Sequence, residues 1–271
     1  MNRQNKVLLI VIDGCRPDGL EVAETPVLDE LMETGSFSMT AQTTYPALTL
    51  PCHFSLVSGQ KPIGHNVQTN TGQPSISPET LSIFQLAKYR GLTTAIFYSW
   101  EHLRNLAPPG VLDLSLMINV INNPVDQQDR LIVDSALPHI QNLLPDLCFV
   151  YLEGTDIAGH EYGWMSEEYI QAIERADHAI GELVKGLEKV ACRAQYNIIV
   201  TSDHGGVDRH HMERVPEVLT VPWIMQGPDI AIAKKLTRQL TICDIAPTIA
   251  RLLNIPPYWE WQGSVATELL N

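Results

Sequence analysis

Five short apolar runs punctuate the chain: Val7–Ile12, Leu92–Phe97, Leu147–Leu152, Tyr196–Thr201 and Val221–Met225. Uninterrupted runs of this length fit strands covered on both faces, as in a parallel sheet. Helical patterns lie between them. Pro26–Thr34 places Val27, Leu28 and Leu31 on one side, and Glu79–Arg90 and Gln128–Leu144 read as further helices. Ser166–Val190 is the longest, with Ile170, Ile173, Ala176, Ile180, Leu183 and Leu187 at helical spacing. Asp244–Leu253 forms a late helix that stops before Pro256-Pro257. Strands alternating with helices predict a doubly wound, mostly parallel α/β sheet flanked by helices. The Pro- and Asn-rich stretch Ala107–Val125 has no clear period and reads as a lid or an irregular insertion. It marks no domain boundary, so residues 1–271 are expected to form a single domain.

Composition narrows the picture. A chain of 271 residues, 45% hydrophobic and 18% charged, has the make-up of a folded domain. A net charge of -13 opposes binding to nucleic-acid polymers and anionic membranes. It also opposes an anionic substrate, unless bound metal ions reverse the field locally. The run Val7–Ile12 is too short for a signal peptide or a membrane span, and no small-residue cleavage site follows it. A cytoplasmic protein with no membrane partner is therefore expected. The five cysteines, Cys15, Cys52, Cys148, Cys192 and Cys243, are odd in number and form no CxxC. They suggest neither a disulfide framework nor a zinc ribbon.

Three aspartates follow predicted strands: Asp13 after VLLIVI, Asp156 after LCFVYLEGT, and Asp203 after NIIVTS. Open α/β sheets bind ligands beyond the carboxyl ends of their strands, so these acids can converge from distant sequence. Singly, each is an ordinary turn or helix-cap residue. Histidines beside two of them weaken that reading. Asp156 and His160 are four apart, so one helical turn puts both on one face. Asp203 adjoins His204, a Gly pair follows, and then Arg209-His210-His211. Carboxylate and imidazole donors together suit zinc, with manganese or iron also compatible, rather than magnesium or calcium. In Tyr45-Pro-Ala-Leu-Thr-Leu-Pro-Cys-His53, Pro51 fits a first helical turn, and Thr49 sits near the helix N-terminus. Thr49 is there either a simple cap or a hydroxyl facing an anion held by the helix dipole. Beside a metal it would be an activated nucleophile.

At these residues the chain resembles the alkaline phosphatase superfamily, and in particular its nucleotide pyrophosphatase/phosphodiesterase branch. The likeness runs from IDGCRPDGL through TYPALTLPCHFSLVSGQKPIGHNV, EGTDIAGHEYGW, TSDHGG and VPWIMQGPDI to ICDIAPTIARLLNI, and so covers most of the chain. The resemblance implies an alkaline-phosphatase-like fold and two divalent metal ions. It implies Asp13, Asp203 and His204 as ligands of one metal, which also holds the nucleophile Thr49. It implies Asp156 and His160 as ligands of the other. The last ligand comes from Arg209-His210-His211, where the spacing favours His211 over His210. His53 reads as a buried histidine that orients the loop.

One position departs from the family. The residue after the motif proline is typically an asparagine that donates to a phosphoryl oxygen, and here it is Cys52, a weak donor. A sulfatase reading needs a modified cysteine in Cys-x-Pro-x-Arg, whereas this chain has Thr-x-Pro-Cys-His. The implied activity is hydrolysis of a small phosphate ester, a nucleotide among the candidates. A phosphodiesterase or nucleotide pyrophosphatase is the leading form. A phosphomonoesterase or phosphonate hydrolase on the same metals is the alternative, and a catalytically silent metal- or nucleotide-binding protein is the alternative of another class. Tyr98, Trp100 and Tyr162, with Cys52, are the candidate substrate contacts. Trp164 is an aromatic near His160, and Glu101 adjoins Trp100.

Overall fold

The computed structural model describes residues 5–235 and 238–271. Its strands are β1 (Lys6–Ile12), β2 (Ser36–Gln42), β3 (Thr94–Tyr98), β4 (Leu114–Met117), β5 (Leu147–Leu152), β6 (Tyr196–Thr201), β7 (Thr220–Gln226) and β8 (Lys234–Lys235). The helices are α1 (Pro17–Val22), α2 (Pro26–Glu33), α3 (Thr49–Ser58), α4 (Pro62–His65), α5 (Ile83–Tyr89), α6 (Val125–Leu143), α7 (Gly154–Tyr162), α8 (Glu167–Lys189), α9 (Pro216–Leu219) and α10 (Ile245–Leu252). No helix among the described residues is long and apolar enough to cross a membrane.

The strands form one sheet in the order β4-β3-β5-β1-β6-β7-β2-β8. From β4 to β6 all pairs are parallel, while β7 runs antiparallel to both β6 and β2. Central β1 shows why the apolar runs read as doubly covered. Val7, Leu9 and Val11 face a core shared with α3, α5 and α10. Leu8, Ile10 and Ile12 face a second core built with α2, α6 and α8. The parallel strands β5, β1 and β6 lie side by side, so their carboxyl ends open on one edge of the sheet.

Strands β2, β4 and β8 are additions to the sequence reading. β2 reads SFSMTAQ and is only partly buried; β4 is an edge strand whose residues alternate between half-buried and exposed. Neither has the continuous apolar run of a doubly covered strand. The stretch Ala107–Val125 is accordingly no free lid: Ala95 to Tyr98 of β3 pair in parallel with Leu114 to Met117. Helix α5 starts at Ile83 rather than Glu79 because Ser82 and Gln85 close a reciprocal capping box there. Helix α6 starts earlier than expected, at Val125, with Pro124 as its N-cap.

Helix α2 owes its start to a distant residue. Its own N-cap, Thr25, makes no side-chain cap hydrogen bond. Instead Asp177 of α8 accepts from the amides of Leu28, at 2.7 Å, and Val27, at 3.2 Å. Asp177→Ala is expected to cost about 1–2 kcal/mol by stranding these amides. The midpoint of urea unfolding should fall accordingly, with Asp177→Asn losing less, and an unmoved midpoint would refute the tie.

Candidate active site

Each candidate residue arrives by a short exit from the sheet. Asp13 directly follows β1, and its amide bonds to the carbonyl of Leu152 at 2.9 Å. Gly14 then turns in the left-handed region at φ +68°, and a Cβ there would come within 3.1 Å of the Asp156 Cα. Asp156 and His160 lie one turn apart on α7, with Oδ2 and Nε2 3.5 Å apart. Asp203 and His204 follow β6. Thr49 is the first residue of α3, and the N-cap is Leu48.

These residues form two overlapping clusters. Ligand atoms of Asp156, His160 and His211 lie within 4.8 Å of one another, as do those of Asp13, Asp156 and His204. Asp203 flanks the second cluster. Its Oδ1 accepts from the amides of Gly14 (3.3 Å) and His204 (3.0 Å), and its Oδ2 lies 3.4 Å from His204 Nε2. His210 lies elsewhere, half exposed and paired with Glu213 at 2.7 Å.

The imidazoles are oriented alike. Nδ1 of His160 bonds the Arg209 carbonyl at 2.8 Å, that of His204 the Gly205 carbonyl at 2.9 Å, and that of His211 the Ala47 carbonyl at 2.6 Å. A carbonyl accepts only, so Nδ1 carries the proton in each, and the Nε2 lone pair is left for the site. The His204 and His211 rings stack with centroids 3.9 Å apart. Tyr151 donates its hydroxyl to Asp13 Oδ2.

This arrangement is costly without a cation. Asp13 Oδ1, Asp156 Oδ1, Asp203 Oδ2 and His204 Nε2 are buried with no hydrogen-bond partner. Buried polar atoms left unpaired each cost on the order of 1–3 kcal/mol, and charged ones more. Burial, and then the nearby carboxylates, push Asp13 and Asp156 well above the usual carboxylate range. Burial alone would do the same to Asp203, but His204 and His53 outweigh it and hold that group low. Burial drives His211 down to about 3, helped by His204, and lowers His204 too. Neutral imidazoles beside crowded carboxylates are the donor set a divalent transition metal requires. The residues therefore fit such ions.

The clusters open into a cavity of about 760 Å³, whose walls include Asp13, Thr49, Tyr151, Asp156, His160 and His211. Thr49 lines this space, and its hydroxyl has no hydrogen-bond partner among the described residues. Trp100 also lines it. Tyr98 does not: it is buried in the core, with its hydroxyl 3.3 Å from Ser115 Oγ. Tyr162 is half exposed at the end of α7 and is not among the lining residues. Cys52 is fully buried, and its thiol faces Thr43 and the carbonyls of Thr44 and Pro46. Burial pushes that thiol up to about 12, with Asp203 adding to the shift. Cys52 is therefore not among the residues that line the cavity.

Asn70 does reach it, and sequence reasoning missed it. It lines the cavity with its Oδ1 accepting from the Leu50 amide, at 2.9 Å, in the first turn of α3. That bond assigns the amide orientation and turns the NH2 group away from the helix. Asn70 lies in a Gly-, Asn- and Thr-rich loop with no periodic signal, so nothing in the local pattern marked it. The acidic wall residue Glu153 also escaped notice. Burial, and then Asp129, raise Glu153 up to about 7, although Ser99 opposes this.

Trp164 acts from behind the histidines. Its indole N–H donates to the Gly14 carbonyl at 2.9 Å, and its ring lies 5.0 Å from that of His160 and 6.0 Å from that of His211. The glycines around it are required. A Cβ on Gly206 would approach the indole to 2.1 Å and one on Gly159 to 2.6 Å, while one on Gly205 would strike the Glu217 carbonyl at 2.1 Å. Gly206→Ala should displace Trp164, misalign both histidines, and weaken metal binding about 10–100-fold. Metal analysis of the purified variant checks this. His211→Ala should likewise lose bound metal, and His210→Ala should not; equal retention by the two would remove His211 from the ligand set.

Such a sheet, with strand-end aspartates and histidines gathered at one edge, defines an alkaline-phosphatase-like protein. The model of the type I phosphodiesterase / nucleotide pyrophosphatase family matches residues 7–80 and 83–235, and the chain belongs to that family. Human ectonucleotide pyrophosphatase/phosphodiesterase family member 1 is 28% identical over 220 residues, 73% of this chain. Rat family member 7 is 27% identical over 222 residues, 75% of this chain. The chain spans only part of these relatives, matching 23% of the human protein and 50% of the rat one. Among solved structures, murine ectonucleotide pyrophosphatase/phosphodiesterase 5 in complex with AMP superposes with a TM-score of 0.82 at 16% identity, covering 98% of this chain and 100% of that one. A 2-O GAG sulfatase superposes with a TM-score of 0.81 at 15% identity, covering 97% of this chain and 73% of that one.

Proposed function

We propose that the protein hydrolyses a phosphate diester or nucleotide pyrophosphate, with Thr49 as the nucleophile. The observation that carries this reading is the unpartnered Thr49 hydroxyl at a helix N-terminus, in the same cavity as both carboxylate–histidine clusters. Two divalent ions, with zinc best suited to the nitrogen and oxygen donors, would supply Lewis acidity and neutralise the charge on the reacting phosphate. Asp13, Asp203 and His204 would hold one, and Asp156, His160 and His211 the other. Two dications against three carboxylates leave about one net positive charge, which overrides the acidic surface locally.

The protein's own groups then act in sequence. Thr49 Oγ loses its proton and bonds to phosphorus as the opposite ester bond breaks and one alcohol leaves. The Asn70 NH2 group donates to a phosphoryl oxygen, a role independent of Cys52. The first turn of α3 adds its positive dipole end. Water then cleaves the phosphothreonine and frees Thr49. Trp100 offers an apolar face on the cavity wall for the esterified group. The bound AMP of the murine relative supports a nucleotide as one substrate class.

Thr49→Ala should lower kcat at least about a thousandfold. Asn70→Ala should lower it about 100–1,000-fold with metal content retained. Bis-p-nitrophenyl phosphate should be cleaved faster than p-nitrophenyl phosphate. A clear preference for the monoester would shift the reading to a phosphomonoesterase. Hydrolysis by metal-loaded wild type no faster than by Thr49→Ala would leave a binding protein.

A further inference from the structure

One end of the cavity carries polar groups that the proposed chemistry does not use. Ser99 follows β3 and Glu153 follows β5, adjacent parallel strands, so both reach the same sheet edge. Gln128 joins them from the first turns of α6. All three line the cavity. Gln128 is 5% exposed and Ser99 8%; Gln128 Oε1 has no hydrogen-bond partner, and the Ser99 hydroxyl stands against the Glu153 carboxylate.

The polarity of this wall is determined. Gln128 Nε2 donates to the Asn123 carbonyl at 3.0 Å, which requires the NH2 group there and leaves Oε1 as the unpaired acceptor of this lining residue. The Glu153 carboxylate accepts only, when ionised, and its chain neighbour Gly154 binds a second buried carboxylate, Asp129, at 3.1 Å. No lysine or arginine is among the residues lining the cavity. The wall therefore offers acceptors, in negative surroundings, without a cation. Buried acceptors left unpaired are costly, and a ligand that donates to them recovers that cost.

We propose that Ser99, Gln128 and Glu153 form a subsite for one ester group of the substrate, selecting a hydroxyalkyl or aminoalkyl group that donates hydrogen bonds and bears no negative charge. This rests on the reading of Thr49 and the metal clusters given above. It separates substrates that the catalytic residues cannot. A hydroxyl or an ammonium satisfies the wall, an alkyl chain leaves it unpaired, and a carboxylate or phosphate opposes Glu153.

The test is a series of p-nitrophenyl phosphodiesters whose second alcohol is propyl, 3-hydroxypropyl, 3-aminopropyl or 2-carboxyethyl. On the metal-loaded protein, kcat/KM for the hydroxypropyl or aminopropyl diester should exceed that for propyl about tenfold. The carboxyethyl diester should be the poorest. In Gln128→Leu and in Glu153→Gln the ratio of donor-bearing to propyl substrate should fall toward one. The relative rates of the hydroxypropyl and aminopropyl diesters tell which donor the subsite takes. Equal rates for all four, or a preference for the carboxylate, would overturn the subsite. Binding of the same diesters to metal-loaded Thr49→Ala by calorimetry gives a readout independent of turnover. If no diester is hydrolysed yet the donor-bearing ones bind about tenfold more tightly, the catalytic reading fails and the subsite stands. Equal binding would remove the subsite.

Discussion

Three carboxylates at one edge of the sheet, two of them buried and Asp156 partly so, are the constraint on which the rest depends. Asp13, Asp156 and Asp203 are delivered by β1, β5 and β6, which the sheet order places side by side. Burial and then their mutual repulsion push two of them well above the usual carboxylate range. Only positive charge supplied at that point lets all three ionise together. The neutral histidines, the Tyr151 hydroxyl and the amides of Gly14 and His204 organise the cluster but cannot neutralise it. The centre is thus built to be completed by cations.

Much of the surrounding structure serves to hold that edge in register. The carbonyls of Arg209, Gly205 and Ala47 set the tautomers of three histidines. The loop before α3 therefore both orients His211, through Ala47, and presents Thr49 two residues later. Trp164 ties Gly14 to the histidines and fits only because Gly159 and Gly206 lack side chains. Asp129 bonds the Gly154 amide at the start of α7, the helix that carries Asp156 and His160. The metal donors and the hydroxyl are thus coupled through backbone groups, where a substitution has little room to adjust.

The position of Cys52 shows how a motif can mislead when its orientation is unknown. Its place beside Pro51 suggested that it had replaced a donor to phosphate. In a helix a residue three positions on lies only about 60° round, so it is the packing of the Cys52 thiol against Thr43 and the carbonyls of Thr44 and Pro46, and not the spacing, that separates it from Thr49. Thr49 lines the cavity, and Cys52, three residues on, is turned into the core. The donor on the wall is Asn70, from a loop that Leu50 holds at the helix start. Tyr98 was misjudged for a related reason. It is the last residue of β3 and points into the core, while Trp100, two residues beyond, has left the strand and lines the cavity.

The chain's own pattern determined the central strands, the long helices and the strand-end chemistry, because each is a local signal. Doubly buried strands need continuous apolar runs, amphipathic helices need their period, and Asp156 and His160 need only the spacing of one turn. The partly exposed strands β2 and β4 carried no such signal. Tertiary structure alone decided which face of α3 meets the cavity and that Asn70, Ser99, Gln128 and Glu153 line one space, while His211, which the spacing already favoured over His210, joins the cluster. Those assignments depend on side-chain direction and on contacts between residues far apart in the chain, and neither leaves a periodic trace in the order of amino acids.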